Sequence, residues 1–317
     1  LRRQRQMCIR DRSHQLLPAY LSCKIKIITV IWHTFIMQHY ITLNEARNIK
    51  RHYENFPVAS LLLPKKQRNA AVILYKYARE CDDIADEGTS DAKERMTQLQ
   101  PYMDDIEHIK NSTTPSMPLF IDIQKVCTEF NVNSDLLVRL MKAFTQDVHK
   151  NRYANMDEVE DYCHKAACPA GEMILSLFNQ NHPKNITYSN HLCIALAMIG
   201  MLQDIHEDYL KNRIYIPQDD FKDFDLTEQD IKKKEFTENW QNFKEEWLVR
   251  IDNHMQQGKL LETQLTGRLK LQIKVLIYAS NLLIKRMRMR DKNLFSHAPK
   301  LSKLDWVYQF LRALMST

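Results

Sequence analysis

Two acidic clusters contain the residues of this chain whose types and spacing best suit chemistry. They are Asp82-Asp83-Ile84-Ala85-Asp86-Glu87 and, further along, Asp204-Ile205-His206-Glu207-Asp208. Each contains two aspartates four residues apart, which places both carboxylates on one face of an α-helix, where like charges repel. A hard cation between two such faces would offset the repulsion, and Mg2+ prefers carboxylate oxygens together with substrate phosphate oxygens. The pattern therefore predicts a Mg2+-dependent site for a diphosphate substrate.

Long helices are the elements that would position these clusters. The 317 residues include only 5 glycines and 10 prolines, fewer than turn-rich β folds and glycine-rich nucleotide loops require. Hydrophobic residues make up 44% of the chain, enough for a sizeable core. The loops are short, which favours one helical domain over two. The composition therefore predicts an all-α, single-domain fold.

Apolar periodicity and capping residues predict where the helices lie. The predicted spans are 42–55, 66–87, 91–109, 119–130, 134–148, 156–180, 188–210, 235–256, 260–290 and 301–315, with a further helix from Thr227 and an irregular segment over 212–224. The first acidic cluster then lies at the C-terminal end of a helix that stops near Gly88. The helix dipole disfavours anions at that end, which strengthens the expectation of a bound cation.

The net charge of +6 comes from the first 36 residues. Five arginines and one aspartate stand within residues 1–13, and Lys24 and Lys26 supply the remaining two charges, so the net charge from Met37 onward is zero. The main body therefore gives no sign of binding nucleic acid. We interpret residues 1–36 as a non-native or disordered leader and residues 37–317 as the functional domain.

Seven cysteines form no CxxC pair and no disulfide-like framework, which favours a reducing, cytoplasmic compartment. Cys163 and Cys168 could ligate a metal together with His164. The simpler interpretation is that both thiols are small buried apolar groups.

The acidic clusters resemble the two aspartate-rich motifs of the squalene/phytoene synthase family. Arg79 to Glu87 is similar to the first motif, and Asp204 to Asp208 followed by Asn212 to Pro217 is similar to the second motif and its tail. Further segments resemble the bacterial hydroxysqualene synthase branch: His52 to Ser60, Leu63-Pro64, Arg152-Tyr153, Asp161 to Cys163, Pro169 to Gly171 and Leu304 to Trp306. The resemblance runs from about His52 to Leu314 and implies a bundle of long helices around a central cavity.

The resemblance implies a reaction in which presqualene diphosphate loses pyrophosphate and water quenches the rearranged carbocation. The product would be hydroxysqualene, a precursor of hopanoids or related lipids. Magnesium would be held by Asp82, Asp83, Asp86, Asp204 and Asp208. Tyr162 matches the active-site tyrosine whose ring would face the carbocation. A tyrosine on a helix is otherwise usually a packing residue.

Several residues are candidates for contacting the substrate. Arg79 presents a fork of donors to a phosphate, the alternative being a salt bridge to Asp82. His52 and Arg213 are further phosphate candidates, with ordinary surface or capping contacts as the alternative. Phe56 and Tyr75, with Met201 and Leu202, could line the cavity or simply belong to the core.

This chain departs from the family pattern at four positions. Ala197 and Gly200 replace a glutamine and an asparagine that would contact the diphosphate–metal cluster or the carbocation, and Cys168 stands where many hydroxysqualene-type members have an asparagine. Asn212 replaces a glycine, a change that left-handed backbone tolerates.

Other interpretations stay open at this stage. One alternative is a head-to-head prenyl diphosphate synthase that forms squalene, dehydrosqualene or phytoene. Another is a non-catalytic helical assembly factor, which the retained aspartates disfavour. The third, a helical binding module with coincidental acidic faces, is disfavoured by the two motifs and their tail.

A long isoprenoid substrate leads us to expect peripheral contact with the inner face of the cytoplasmic membrane. The implied pathway neighbours are a presqualene diphosphate synthase and a downstream reductase.

Overall fold

Helices dominate the computed structural model, which describes residues 63–289 and 293–316 and contains no strand among them. The predicted all-α fold is therefore confirmed. The predicted leader, the predicted helix over 42–55 and the candidates His52 and Phe56 lie outside the described residues. No helix of the described part combines the length and the apolar composition that a membrane crossing requires.

The helices are numbered in chain order over the described residues. The first seven are α1 Lys65–Asp86, α2 Ala92–Lys110, α3 Pro118–Phe130, α4 Asp135–His149, α5 Met156–Ala166, α6 Cys168–Leu177 and α7 Pro183–Gln203. The next eight are α8 Ile205–Leu210, α9 Gln218–Asp223, α10 Glu228–Lys233, α11 Glu238–Gly258, α12 Leu261–Gln264, α13 Gly267–Met287, α14 Leu294–His297 and α15 Lys303–Met315.

The prediction of one helix over 156–180 was wrong, because α5 and α6 are separated at Ala167 and α6 ends at Leu177. Pro169 lies in the first turn of α6, where its missing N–H is tolerated, but it cannot continue a preceding helix. The predicted helix over 188–210 was also wrong. Helix α7 begins at Pro183, and Asp204 interrupts the helical conformation before α8.

Two further spans differ from the prediction. The segment 212–224 is only partly irregular, because Pro217 caps the short helix α9. The span 260–290 is divided into α12 and α13 by extended backbone at Leu265 and Thr266. Thr227 starts α10 as predicted, with its side chain accepting a hydrogen bond from the Asp230 amide.

The C-terminal half of α1 is held in place by a buried tyrosine. Tyr77 is fully buried, and its hydroxyl donates to the Leu137 carbonyl of α4 at 2.8 Å. Its ring makes edge contacts with Phe120 of α3 and Phe144 of α4, at centroid distances of 5.5 and 6.2 Å. These contacts fix the rotation of α1 about its axis, and therefore which face its acidic end presents.

Helix α7 packs more extensively on α11 than on any other described helix. The Trp247 indole of α11 donates to the Met198 carbonyl at 3.0 Å. At the far end of α11, a Cβ added to Gly258 would lie 2.7 Å from the Leu192 backbone nitrogen. Backbone cannot move aside as a flexible side chain can, so the absence of a side chain at Gly258 lets the two helices approach closely.

The substitution Gly258→Ala tests this close approach. Alanine favours helix over glycine by roughly 1 kcal/mol, so an uncrowded site would be stabilised. We expect instead a loss of about 1–3 kcal/mol in the free energy of unfolding, because the methyl group meets backbone. Denaturant unfolding measures the change, with exposed Gln257→Ala in the same helix as the neutral control. A Gly258→Ala protein that is more stable than the parent would contradict the packing.

Candidate active site

The first acidic cluster closes helix α1. The Asp82 residue is 1% exposed and the Asp86 side chain is 0% exposed, so both carboxylates are withdrawn from water. Glu87 is the C-cap and Gly88 follows with a positive φ of 77°, as the predicted stop requires. Buried anions at the negative end of a helix dipole are costly without a compensating positive charge. The structure therefore has buried carboxylates at the C-terminal end of α1, the unfavourable arrangement that the sequence predicted.

A neighbouring arginine, which the sequence analysis did not identify, binds the end of α1. Arg95 of α2 donates to the carbonyls of Ile84, Gly88 and Ser90 at 2.9, 3.2 and 2.9 Å. The Ile84 carbonyl is one of the last four of α1, which have no intrahelical partner. Arg95 therefore satisfies a helix end and brings a positive charge next to the acidic cluster.

The second acidic cluster spans a break between two helices. Asp204 is both the C-cap of α7 and the N-cap of α8, with φ of −111°. The Asp208 amide still donates to the Asp204 carbonyl at 2.8 Å, so the two aspartates keep the one-turn spacing across the break. Each is 2% exposed. His206, between them, contacts the Ile231 carbonyl through Nδ1 at 2.9 Å and fixes α8 against α10.

Long-range ion pairs join the first acidic cluster to the segment that follows the second. The Arg213 guanidinium binds both oxygens of Asp86 in a fork, at 2.9 and 2.8 Å. Beside it, Lys211 Nζ lies 3.1 Å from Glu87 Oε1. Each pair joins the end of α1 to the segment that follows α8. The segment after the second cluster therefore lies against the end of the first, while a metal site shared by Asp82 and Asp86 with Asp204 and Asp208 stays a prediction.

Local backbone geometry directs Arg213 towards Asp86. Asn212 adopts the left-handed conformation at φ of 56°, as its replacement of a glycine allows. The Arg213 amide then donates back to the Asp208 carbonyl at 2.9 Å. Arg152 holds the turn by donating to the Asn212 carbonyl at 2.8 Å while it binds Glu228 in a fork at 2.9 and 3.0 Å.

Arg79 forms an ion pair with Asp83, the residue next to Asp82. Its guanidinium binds Asp83, with Nε to Oδ2 at 3.0 Å and Nη2 to Oδ1 at 2.6 Å. The alternative pairing with Asp82 stays a prediction. Burial raises the pKa of Asp83 more than the nearby Arg79 charge lowers it. A further cation at this carboxylate would relieve the same cost of burial. Whether Arg79 contacts phosphate stays a prediction.

Tyr162 belongs to a buried group of three tyrosines beneath the ion pairs. Its ring centroid lies 5.6 Å from that of Tyr153 and 5.3 Å from that of Tyr215. Its hydroxyl donates to Asp147 Oδ2 at 3.4 Å, and Arg213 Nη2 donates to the Asp147 carbonyl at 3.1 Å. Tyr162 is thus connected to Asp86 of the first acidic cluster through Asp147 and Arg213.

The Tyr162 hydroxyl stays protonated in this environment. Burial raises its pKa well above the ordinary value, and the Tyr215 and Tyr153 hydroxyls add to the rise. A neutral phenol offers a ring face and a weak hydrogen bond, whereas it cannot act as a general base near neutral pH. Tyr153 and Tyr215 lie in the segments that resemble the family, but no local pattern predicts that their rings contact Tyr162.

A polar pocket of about 280 Å3 opens beside the Arg213–Asp86 pair. Its lining includes the side chains of three cations and two buried acids: Arg95, Lys211, Arg213, Asp86 and Asp147. The pocket follows the ends of α1 and α4 and the turn after α8. We call this pocket the mouth. Its charged lining suits an anionic group that arrives together with metal ions.

The expected cavity residues are placed as follows. Tyr75 is half-buried and packs against the main core, whereas Met201 and Leu202 of α7 are each 1% exposed. Two of the four departures from the family pattern also lie on α7, where Ala197 is 1% exposed and Gly200 is buried. The stretch of α7 that leads to Asp204 therefore offers apolar surface at these positions, without the polar groups that the family usually has there.

Magnesium would have to be shared between protein and substrate. Among residues 63–289 and 293–316, no group of three or more His, Cys, Asp or Glu side chains converges closely enough to hold an ion by itself. The donor set still fits a hard cation, because Asp82, Asp204 and Asp208 are buried carboxylates. Magnesium commonly takes one or two carboxylates and completes its shell with water and phosphate oxygens.

The alternative thiol site is not supported by the structure. Cys163 and Cys168 are fully buried, and burial raises the pKa of both thiols, which disfavours the thiolate that a metal requires. The Cys168 sulfur lies 3.6 Å from His164 Nδ1. The packing interpretation of these cysteines therefore holds.

Comparisons with known proteins agree with these features. The squalene/phytoene synthase family model matches residues 49–305. A hydroxysqualene synthase of Zymomonas mobilis is 34% identical over 170 residues, or 52% of this chain and 55% of that protein, so the chain spans about half of that relative's length. A hydroxysqualene synthase of Rhodopseudomonas palustris is 27% identical over 276 residues, or 86% of this chain and 92% of that protein.

Comparison with solved structures finds a protein of the same kind. The crystal structure of squalene synthase HpnC from Alicyclobacillus acidocaldarius gives a TM-score of 0.69 at 27% identity, covering 77% of this chain and 92% of that one. Relatives named phytoene synthase and presqualene diphosphate synthase also match.

The buried pair Arg213–Asp86 should be a main source of stability. We expect Arg213→Met to lower the free energy of unfolding by about 3–5 kcal/mol, because it leaves the Asp86 carboxylate buried without its partner. Denaturant unfolding with a chelator present measures the loss without any contribution from bound metal.

The adjacent, more exposed pair supplies the control. Lys211→Met, which breaks the contact with the 42% exposed Glu87 side chain, should cost less than about 1 kcal/mol. Adding Asp86→Leu to Arg213→Met should restore part of the stability, because no charge is then buried alone. Equal, small losses from both single variants would refute the assignment.

Proposed function

Because the chain belongs to the squalene/phytoene synthase family, we propose that it converts presqualene diphosphate and water into hydroxysqualene and pyrophosphate with the help of Mg2+. One observation carries the proposal. Arg213 and Lys211 bind Asp86 and Glu87, so ion pairs join the tail of the second aspartate-rich motif to the end of the first. The names of the hydroxysqualene synthase relatives support the choice of reaction within the family.

Each part of the mouth has a role in this proposal. Asp82, Asp83, Asp86, Asp204 and Asp208 would hold Mg2+, which neutralises charge on the departing diphosphate. Around them, the fixed cations Arg79, Lys211 and Arg213 add positive charge where pyrophosphate leaves with the electron pair of the broken C–O bond.

The buried tyrosines have a different role. Tyr162 keeps its hydroxyl protonated, and its ring, shielded from solvent, would offer a π face to the carbocation, which then rearranges. A water molecule adds to the rearranged cation and loses a proton, forming hydroxysqualene. The apolar surface of α7 at Ala197 and Met201 would help to keep other water molecules away from the cation.

A head-to-head synthase that joins two prenyl diphosphates is the second candidate. It would use the same acidic mouth, and the relatives named phytoene synthase favour it. Ala197 and Gly200 replace polar residues of the family pattern and leave both reactions open. A presqualene diphosphate synthase and a reductase are the proposed pathway neighbours, and the proposed location is the cytoplasm, with peripheral contact with the membrane.

Substrate choice separates the two candidates. We expect Mg2+-dependent release of pyrophosphate from presqualene diphosphate, hydroxysqualene in the product mixture by mass spectrometry, and no turnover of farnesyl diphosphate alone. Asp82→Asn should lower kcat at least about 100-fold, because it removes a charged metal ligand. The exposed Asp104→Asn in α2 is the control and should match the parent. Consumption of farnesyl diphosphate alone would replace this proposal with the second candidate.

The ring and the hydroxyl of Tyr162 can be tested separately. Tyr162→Phe keeps the π face and loses the long hydroxyl contacts with Asp147 and Tyr215, at 3.4 and 3.5 Å, so kcat should fall by less than about threefold. Tyr162→Leu should lower kcat roughly 30-fold, the equivalent of about 2 kcal/mol for a desolvated cation–π contact, with KM little changed.

A partly buried tyrosine remote from the mouth provides the control. Tyr188→Leu in α7 should leave kcat at the parent value. Equal losses from Tyr162→Phe and Tyr162→Leu would assign the effect to the hydroxyl and reject the role of the ring.

A further inference from the structure

We infer that one face of the C-terminal helix α15 docks the protein on an anionic lipid bilayer. Helix α15 buries Trp306, Gln309 and Ala313 on the side that packs against α13. Its opposite side carries six large apolar side chains that are between 42% and 80% exposed: Leu304, Val307, Tyr308, Leu311, Leu314 and Met315. These six residues are called the α15 stripe below.

The α15 stripe has the geometry of a helix that lies in a membrane interface. At 100° per residue, its six members fall within an arc of roughly 120°. Lys303 lies at one edge of the arc and Arg312 at the other, so a cation flanks the apolar surface on each side. Helices that lie in the interface combine an apolar face with Lys or Arg at its borders. Tyr308 adds a ring with a polar tip, a residue type enriched at that depth.

The stripe is exposed although α15 is firmly attached to the rest of the molecule. Arg286 of α13 binds both oxygens of Asp305 at 2.8 and 2.6 Å, and Ser302 forms a capping box with Asp305. At the other end, the Tyr278 and Ser316 hydroxyls are 2.9 Å apart, and the Arg312 guanidinium lies 4.5 Å from the Tyr278 ring centroid. The outward face is therefore a stable feature of a packed helix.

Charge on this surface favours an anionic partner. Asp305 is the one acid within α15, and its pairing with Arg286 neutralises it. Lys303 and Arg312 place a cationic side chain at each border of the stripe. The negative surface potential of a bilayer that contains anionic lipid attracts each such cation near the surface.

A second copy of the chain fits the stripe less well. Thirteen residues form a helix about 20 Å long, and with a width of about 10 Å the stripe covers roughly 200 Å2. A stable protein–protein interface takes about 800 Å2 from each partner. Two stripes packed face to face would also bring their bordering cations together. A bilayer needs neither a large area nor shape complementarity.

The inference extends the proposed function and rests on it in one respect, namely that a long isoprenoid diphosphate is a substrate that partitions into membranes. Docking through α15 would hold the enzyme at the phase that contains its substrate. The docking itself can be measured without any turnover.

Vesicle flotation with the full chain provides the test. The parent should float with vesicles of 30% phosphatidylglycerol in phosphatidylcholine, and less with phosphatidylcholine alone. The double variant Leu304→Glu/Leu311→Glu should lower the partition coefficient at least about tenfold, because it places two charges in the apolar arc. Val249→Glu/Met289→Glu is the matched control, since these residues are 49% and 52% exposed elsewhere, and it should float like the parent. The basic residues near the N-terminus are common to all these proteins and cancel in the comparison.

The outcomes are distinct. Equal flotation of the two double variants, or no flotation of the parent, would overturn the inference. A parent dimer in light scattering that Leu304→Glu/Leu311→Glu converts to a monomer, without a change in flotation, would assign the stripe to a second copy instead. Circular dichroism checks that both variants fold. Turnover of presqualene diphosphate in detergent micelles should be unchanged by the α15 variant, and its absence in all proteins would reject the proposed function while leaving the flotation result intact.

Discussion

The fork between Arg213 and Asp86 is the contact on which the assembly of the mouth depends. It joins the end of α1 to the turn after α8, and both side chains are almost fully buried. A buried carboxylate at a helix C-terminus is stable only with a positive charge beside it. Arg213 supplies that charge, and Lys211, paired with Glu87, reinforces the same junction at the surface. The pair therefore ties the segment that follows the second acidic cluster to the end of the first.

The surroundings of this pair explain how the mouth can be highly charged in a stable bundle. Arg95 satisfies the carbonyl ends of α1, and Arg152 fixes the turn from which Arg213 extends. The acids and the fixed cations are then arranged before any substrate arrives, so little reorganisation is needed when charge develops on a leaving group. Below them the Tyr162 group provides a dry aromatic surface. The same architecture thus separates a charged entrance from an apolar interior.

The features that could be predicted from the sequence are those that depend on short local patterns of residues. The sequence identified the two acidic clusters, the stop near Gly88, the cap at Thr227 and the left-handed Asn212, because each depends on residue types within a few positions. It did not predict the breaks at Ala167 and Asp204, since helical periodicity continues across them. Pro169 was a usable signal for the first break. The partners of Arg95 and Arg213 could not be read from the sequence, because contacts between distant segments depend on how the helices pack.

A crystal structure with Mn2+ and pyrophosphate would show whether the two acidic clusters share metal ions. Mn2+ replaces Mg2+ at oxygen-rich sites, and its anomalous signal locates each ion. We expect anomalous peaks between the Asp82 side and the Asp204/Asp208 side, with pyrophosphate oxygens completing the coordination of each ion. Peaks bound to one cluster alone, or pyrophosphate bound away from the Arg213 turn, would show that the two clusters do not form a common site.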